Sequence, residues 1–202
     1  MNIAVFASGK GTNFNAIIKA VKNGLIKANL SVLICDNPSA GAIQKAKRAG
    51  IEVFLLKPDE FSGRKDFENK ISCRLEKSKI DLIVLAGFMR ILSPEFVHRY
   101  KGMILNIHPS LLPSFKGKQA IKDAFDYGVK ITGVTVHFVD EEMDHGPIIL
   151  QEAVLIKQTD TLESLETRIH KIEHKLYTKA ISLFVEGRLK TEERKIYISP
   201  PL

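Results

Sequence analysis

Asn106 and His108 stand two residues apart in the run Asn106-Ile107-His108-Pro109-Ser110-Leu111-Leu112-Pro113, just after the apolar stretch Met103-Ile104-Leu105. Alternation along an extended strand puts the two polar side chains on one face while Ile107 turns to the other, and Pro109 stops the strand. Open α/β sheets keep their ligands at the carboxyl ends of their strands, so a polar pair confined to that end reads as an active site. An amide N–H from Asn106 and a charged N–H from a protonated His108 can both serve one developing oxyanion. A histidine with a reference pKa of about 6.5 needs a nearby carboxylate to stay protonated at neutral pH. The acidic loop Asp140-Glu141-Glu142-Met143-Asp144-His145-Gly146-Pro147 offers one candidate just ahead of its Gly-Pro end, Asp144. That combination suits acyl transfer.

Four further places have chemistry to offer. The loop Ser8-Gly9-Lys10-Gly11-Thr12-Asn13 falls between an expected strand and an expected helix, where glycines allow close backbone approach and the helix start presents free N–H groups to a phosphate. It lacks the third glycine of G-x-G-x-x-G and the Gly-Lys-Ser/Thr ending of a Walker loop, so a phosphate monoester fits better than a dinucleotide or ATP. A tight ligand-free turn would use the same residues. The segment Gly87-Phe88-Met89-Arg90-Ile91-Leu92 has backbone donors and apolar surface for a flat heterocycle, and is otherwise an ordinary hydrophobic connector. His137 reads as a satisfied strand histidine, with a supporting role near Asp144 as the minority alternative, and Glu173 as the edge of a helix face.

The elements that must position these residues alternate regularly. Ile3 to Ala7, Leu30 to Cys35, Ile51 to Leu56 and Leu82 to Ala86 read as strands, separated by helices over about Thr12 to Asn23, Gly41 to Ala49 and Gly63 to Lys77, the signature of βαβ units. After His108 the pattern loosens into two adjacent antiparallel strands, Thr132 to Val139 and Ile148 to Ile156, joined by the acidic loop. A last long helix is expected from Asp160, capped by its carboxylate with Glu163 returning the bond, to Gly187. The tail Ile196 to Leu202 can add a short edge strand. The fold class is therefore α/β: a Rossmann-like, open, mostly parallel twisted sheet with helices on both faces and later strands partly antiparallel. A single domain over 1–202 is expected, with a phosphate-binding half over about 1–100 and a catalytic half over about 101–202.

At 202 residues, 45% hydrophobic and 26% charged, the chain has the composition of a globular domain with a substantial core. Its two cysteines, Cys35 and Cys73, lack metal-type spacing and read as free thiols in a reducing compartment. No apolar run is long enough to span a bilayer and no basic segment precedes the first strand, so a cytoplasmic protein without a membrane partner is expected. The formal charge of +7 is spread along the expected helices, as on a solvated surface, and nucleic acid is not the expected partner.

Five motifs together, Ser8-Gly-Lys-Gly-Thr-Asn13, Leu85-Ala-Gly-Phe-Met-Arg-Ile-Leu92, Asn106-Ile-His-Pro-Ser-Leu-Leu-Pro113, Gly133-Val-Thr-Val-His137 and Met143-Asp-His-Gly-Pro-Ile-Ile149, resemble the phosphoribosylglycinamide formyltransferase family of the folate-dependent formyltransferase superfamily. The resemblance spans nearly the whole chain. It implies that a formyl group passes from 10-formyltetrahydrofolate to the glycyl amine of glycinamide ribonucleotide, in purine synthesis, with no metal. It further implies catalytic roles for Asn106, His108 and Asp144, contacts from Gly11, Thr12, Asn13 and Glu173 to the ribonucleotide, and contacts from Arg64, Met89, Arg90, Ile91, Leu92 and Asn106 to the folate. A monomer or homodimer acting on small molecules is the expected assembly. The alternatives within the superfamily are a methionyl-tRNA formyltransferase and a formyltetrahydrofolate hydrolase; each would need an additional domain, which the chain length argues against. The chain departs from the family's usual pattern at Lys116, His145 and His170.

Overall fold

Ile3 and Val5 face one side of β1 (Asn2–Phe6), Ala4 and Phe6 face the other, and all four are fully buried. Only a sheet covered on both faces allows this. The computed structural model describes residues 1–200. Its other strands are β2 (Asn29–Cys35), β3 (Glu52–Leu55), β4 (Leu82–Leu85), β5 (Ile104–His108), β6 (Ile131–Phe138) and β7 (Ile148–Leu155). With β1 they form one sheet in the order β3-β2-β1-β4-β5-β6-β7. The first five in that order run parallel, and β6 and β7 are antiparallel to their neighbours. The chain reverses its direction of travel across the sheet between β1 and β4, which makes the crevice between their carboxyl ends the topological switch point.

One core lies between the sheet and helices α1 (Thr12–Lys22), α2 (Gly41–Ala49), α5 (Ala120–Tyr127) and α6 (Leu162–Val185). The other lies under α3 (Arg64–Lys77) and α4 (Pro94–Arg99). On β5, Leu105 and Ile107 enter the first core and Ile104 the second. The alternation therefore directs Asn106 and His108 toward the α3/α4 side. From α6 the fully buried Tyr177 reaches through the first core and places its hydroxyl 2.8 Å from the Leu85 carbonyl oxygen and 2.9 Å from that of Leu105, tying β4 to β5 just below the crevice.

The expected strands and the first three helices appear within a residue or so of their expected limits. The short α4 and α5 have no counterpart among the expected helices, because six and eight residues are too few for helical periodicity to stand out. At the start of α6 the cap is Thr161, not Asp160: Thr161 Oγ1 accepts from the Ser164 N–H at 3.2 Å, and Ser164 Oγ accepts from the Thr161 N–H at 3.1 Å. Asp160 instead accepts from the Lys157 N–H at 2.7 Å, from Ser164 Oγ at 2.8 Å and from Arg168. The tail does not join the main sheet. β9 (Lys195–Ile198) pairs with β8 (Leu189–Glu192) in a separate antiparallel hairpin; Pro201 and Leu202 lie outside the described residues. Both cysteines are free, Cys35 buried and Cys73 exposed. No helix among the described residues is long and apolar enough to cross a membrane.

Candidate active site

The β5–β6 register sets Asn106 opposite His137 and His108 opposite Thr135. His137 Nδ1–H donates to the Phe138 carbonyl at 2.7 Å, so its Nε2 is left as an acceptor for Asn106 Nδ2–H at 3.2 Å. Burial pushes the His137 pKa down, against the upward pull of that carbonyl and of Asp144, and keeps the ring neutral and accepting. Asn106 is thereby held by one amide proton, with the other free for a ligand. Sequence periodicity alone left His137 as a strand residue; its role becomes visible only once the antiparallel register is known.

His108 is buried, and Asp144 reaches it from the β6–β7 loop, with Nδ1 and Oδ2 3.5 Å apart. Its Nε2–H donates to the Phe115 carbonyl at 2.8 Å, and the Gly117 N–H donates to Asp144 Oδ2 at 2.9 Å. The segment Phe115–Gly117 thus lies across the pair. Phe115 and Asp144 both adopt left-handed backbone conformations, φ 49° and 50°, at a cost of about 1 kcal/mol each for a residue with a Cβ.

Across the crevice, Gly11 caps α1 at φ 70°, and a Cβ there would meet Ala42 at 2.9 Å, so the position needs glycine. The first turn of α1 carries no acidic residue, which leaves its N–H groups and dipole free for an anion. Glu173, buried on α6, accepts from Asn13 Nδ2 at 3.4 Å and from His170 Nδ1 at 2.8 Å, while Asn13 Oδ1 is buried without a partner among the described residues. The bond from Glu173 raises the His170 pKa, against burial. A ligand hydroxyl would satisfy the orphaned oxygen. The structure therefore brings Gly11, Thr12, Asn13 and Glu173 together.

The segment after β4 is joined to this loop: the Ser8 N–H donates to the Gly87 carbonyl at 3.1 Å, and the Met89 N–H to Ser8 Oγ at 3.0 Å. Met89 and Ile91 are exposed, whereas Leu92 is buried with Phe96, Val97 and Val139. Arg90 pairs with Asp36 at 2.9 Å, its guanidinium 5.3 Å from the centre of the Phe67 ring. Arg64 pairs with the buried Glu68 at 3.4 Å; Glu68 also accepts from the Ser93 N–H at 2.8 Å and from Ser93 Oγ. Glu68 thus links Arg64 to the end of the segment. None of the six folate candidates, Arg64, Met89, Arg90, Ile91, Leu92 and Asn106, lines the nearby cavity of about 360 Å³, which lies between α4 and the start of the acidic loop, against Val97, Lys101, Phe138, Val139, Asp140 and Glu141. Sequence reasoning did not point to these lining residues, although Phe138 and Val139 directly precede the acidic loop. No group of three or more His, Cys, Asp or Glu among the described residues is arranged to hold a metal ion.

Residues 1–181 match the Formyl transferase family. The phosphoribosylglycinamide formyltransferase of Bacillus subtilis (strain 168) is 47% identical over 178 residues, 88% of this chain and 91% of that protein. Its Escherichia coli (strain K12) counterpart is 39% identical over 198 residues, 98% of this chain and 93% of that protein. Among solved structures, glycinamide ribonucleotide transformylase 1 from Symbiobacterium toebii superposes with a TM-score of 0.96 at 42% identity, covering 99% of this chain and 94% of that one. The chain accordingly belongs to the formyl transferase family, among its phosphoribosylglycinamide formyltransferases.

Proposed function

We propose that the protein transfers the formyl group of 10-formyltetrahydrofolate to the glycyl amine of glycinamide ribonucleotide, with Asn106, His108 and Asp144 as its catalytic residues. The observation that carries this reading is the meeting of Asp144 Oδ2 with His108 Nδ1 at 3.5 Å, beside an Asn106 amide fixed by His137. The amine nitrogen attacks the formyl carbon and a C–N bond forms. The carbonyl oxygen takes the negative charge and is met by the free Asn106 N–H and by His108 Nε2–H, with Asp144 supporting the imidazolium. Collapse breaks the bond from the formyl carbon to folate N10, which takes up a proton as the amine loses one. His108 Nε2–H donates to the Phe115 carbonyl, so an oxyanion that takes this proton's hydrogen bond replaces that carbonyl.

The anion site at Gly11, Thr12 and Asn13 suits the ribonucleotide's phosphate, and Glu173 with Asn13 Oδ1 suits its ribose hydroxyls. The cavity beside Val97 and Val139 has the size of a small-ligand pocket. Its apolar walls match the faces of a pterin and its carboxylates match the pterin's N–H donors. The half-exposed Arg64 and Arg90 suit the folate's carboxylate tail, alongside Leu92, Met89 and Ile91. These substrates are small molecules and the setting is the cytoplasm. Tetrahydrofolate release should require the formyl donor together with glycinamide ribonucleotide. Release with initiator methionyl-tRNA as acceptor, or with no acceptor, would point instead to the other members of the superfamily.

A further inference from the structure

The β8–β9 hairpin has a base tied to α6 and a tip that touches the loop carrying Asp144. At the base, the Arg188 N–H donates to the Leu183 carbonyl of α6 at 3.0 Å, Arg188 Nε donates to the Ser199 carbonyl at 2.8 Å and the Ser199 N–H to the Arg188 carbonyl at 2.9 Å, while Leu189 and Ile196 pack against the larger core. At the tip, Arg194 donates through Nη2 to the carbonyl of His145, the residue after Asp144. Its Nη1 lies 3.4 Å from His145 Nδ1, and His145 Nδ1–H in turn donates to Asp140 Oδ2 at 2.7 Å. Thr191 and Glu193 of the same hairpin close one side of the cavity beside Val139. The hairpin strands lie beyond residue 181, where the family match ends.

Backbone hydrogen bonds hold the loop at its ends, while inside it the Glu142 N–H donates to Asp140 Oδ1 at 3.2 Å and Asp144 accepts from the Gly117 N–H at 2.9 Å. The Phe138 N–H donates to the Pro147 carbonyl at 2.9 Å, the Val139 N–H to the Ile104 carbonyl at 2.9 Å, and Gly146 sits so close to the end of β6 that a Cβ would fall 1.9 Å from the Phe138 carbonyl oxygen. Between those ends the chain must hold Asp144 at φ 50°. A residue held in that region persists only where its surroundings impose it.

We infer that Arg194 is a positioning residue for catalysis, which holds the His145 carbonyl so that the Asp144 carboxylate stays at His108. Guanidinium suits this task because its charge is permanent and its fork can bond a carbonyl while lying beside an imidazole. The contact is at the surface, so its effect is on geometry and not on global stability. The inference rests on the catalytic reading of Asp144.

The test compares Arg194→Ala, Arg194→Lys and Asp144→Asn in the full chain. Hydrogen exchange reports on Asp144 placement without any activity, because the Gly117 N–H donates to Asp144 Oδ2. In Arg194→Ala the Gly117 amide and the amides of the 141–146 loop should exchange about fivefold faster, and kcat should fall about fivefold, with β5 amides unchanged. The KM for glycinamide ribonucleotide should hold, and lysine should restore part of both losses. Unchanged exchange at Gly117 and the loop in Arg194→Ala overturns the inference, as does an unchanged kcat. If Asp144→Asn retains full turnover while Arg194→Ala still loosens the loop, the hairpin holds Asp144 but the catalytic reading of that residue fails.

Discussion

Asn106 donates an amide proton to His137 Nε2 at 3.2 Å across the β5–β6 pair, and that ring is poised to accept because its Nδ1–H is spent on the Phe138 carbonyl at 2.7 Å. A neutral buried imidazole therefore decides which way the Asn106 amide faces. His137→Ala should lower kcat about tenfold with little change in either KM, since the amide loses its orientation and not its donor. Glutamine at the same position offers an acceptor and should recover part of the rate. Equal losses for alanine and glutamine would remove His137 from the orientation of Asn106. Because burial lowers its pKa, the stability that depends on neutral His137 is complete above the unfolded value of about 6.5 and is lost as pH falls through the lower folded value.

Asp144→Asn keeps the shape of the side chain and removes its charge. Turnover should drop about 100-fold or more, the scale of a lost acid–base partner, with the ribonucleotide KM nearly unchanged. Steady-state kinetics with both substrates varied checks this, and a loss of only a few-fold would take Asp144 out of the mechanism.

Glu68→Ala leaves the Ser93 N–H and hydroxyl without their buried acceptor and frees Arg64. Destabilisation of about 2 kcal/mol is expected, read as a fall in Tm of about 5 °C. The KM for the formyl donor should rise several-fold, because both the Leu92–Ser93 connection and Arg64 lose their anchor. A donor KM that stays put in a destabilised variant would show that Glu68 serves only the fold.

The His170–Glu173 pair has the opposite sign from His137. Its pKa is raised by the bond to Glu173, so its contribution to stability is full below about 6.5 and disappears as pH rises through the raised folded value. The side chain is 48% exposed, which limits the effect to well under about 1 kcal/mol. Thermal melts of the protein and of His170→Ala should differ most near about pH 6 and converge by about pH 9. A gap that is constant across that range would mean the imidazolium is not what stabilises the pair.

What could be read from the sequence is what depends on short-range rules. Period-two alternation is enough to put Asn106 and His108 on one face, and strand–helix alternation is enough to expect the parallel half of the sheet. The meeting of Asp144 with His108, 36 positions apart, follows from chemistry, since a buried imidazole wants a carboxylate and the acidic loop is the place to find one. His137 and Glu68 could not be assigned roles in this way. The first depends on an antiparallel register, and the second on α3 lying against the start of α4; neither relation leaves a local pattern. The cap of α6 is one residue from its expected place because Asp160 and Thr161 are both capable caps, and Thr161 takes the position while the Lys157 amide and Arg168 hold the Asp160 carboxylate.

The two hydrogen bonds that join Ser8 to Gly87 and Met89 make the anion loop and the segment after β4 a single mechanical part. On the proposed placement of the ribonucleotide on one side and the folate on the other, ordering this seam from one side would leave less to order from the other, and any resulting change in one dissociation constant would be matched by the same factor in the other.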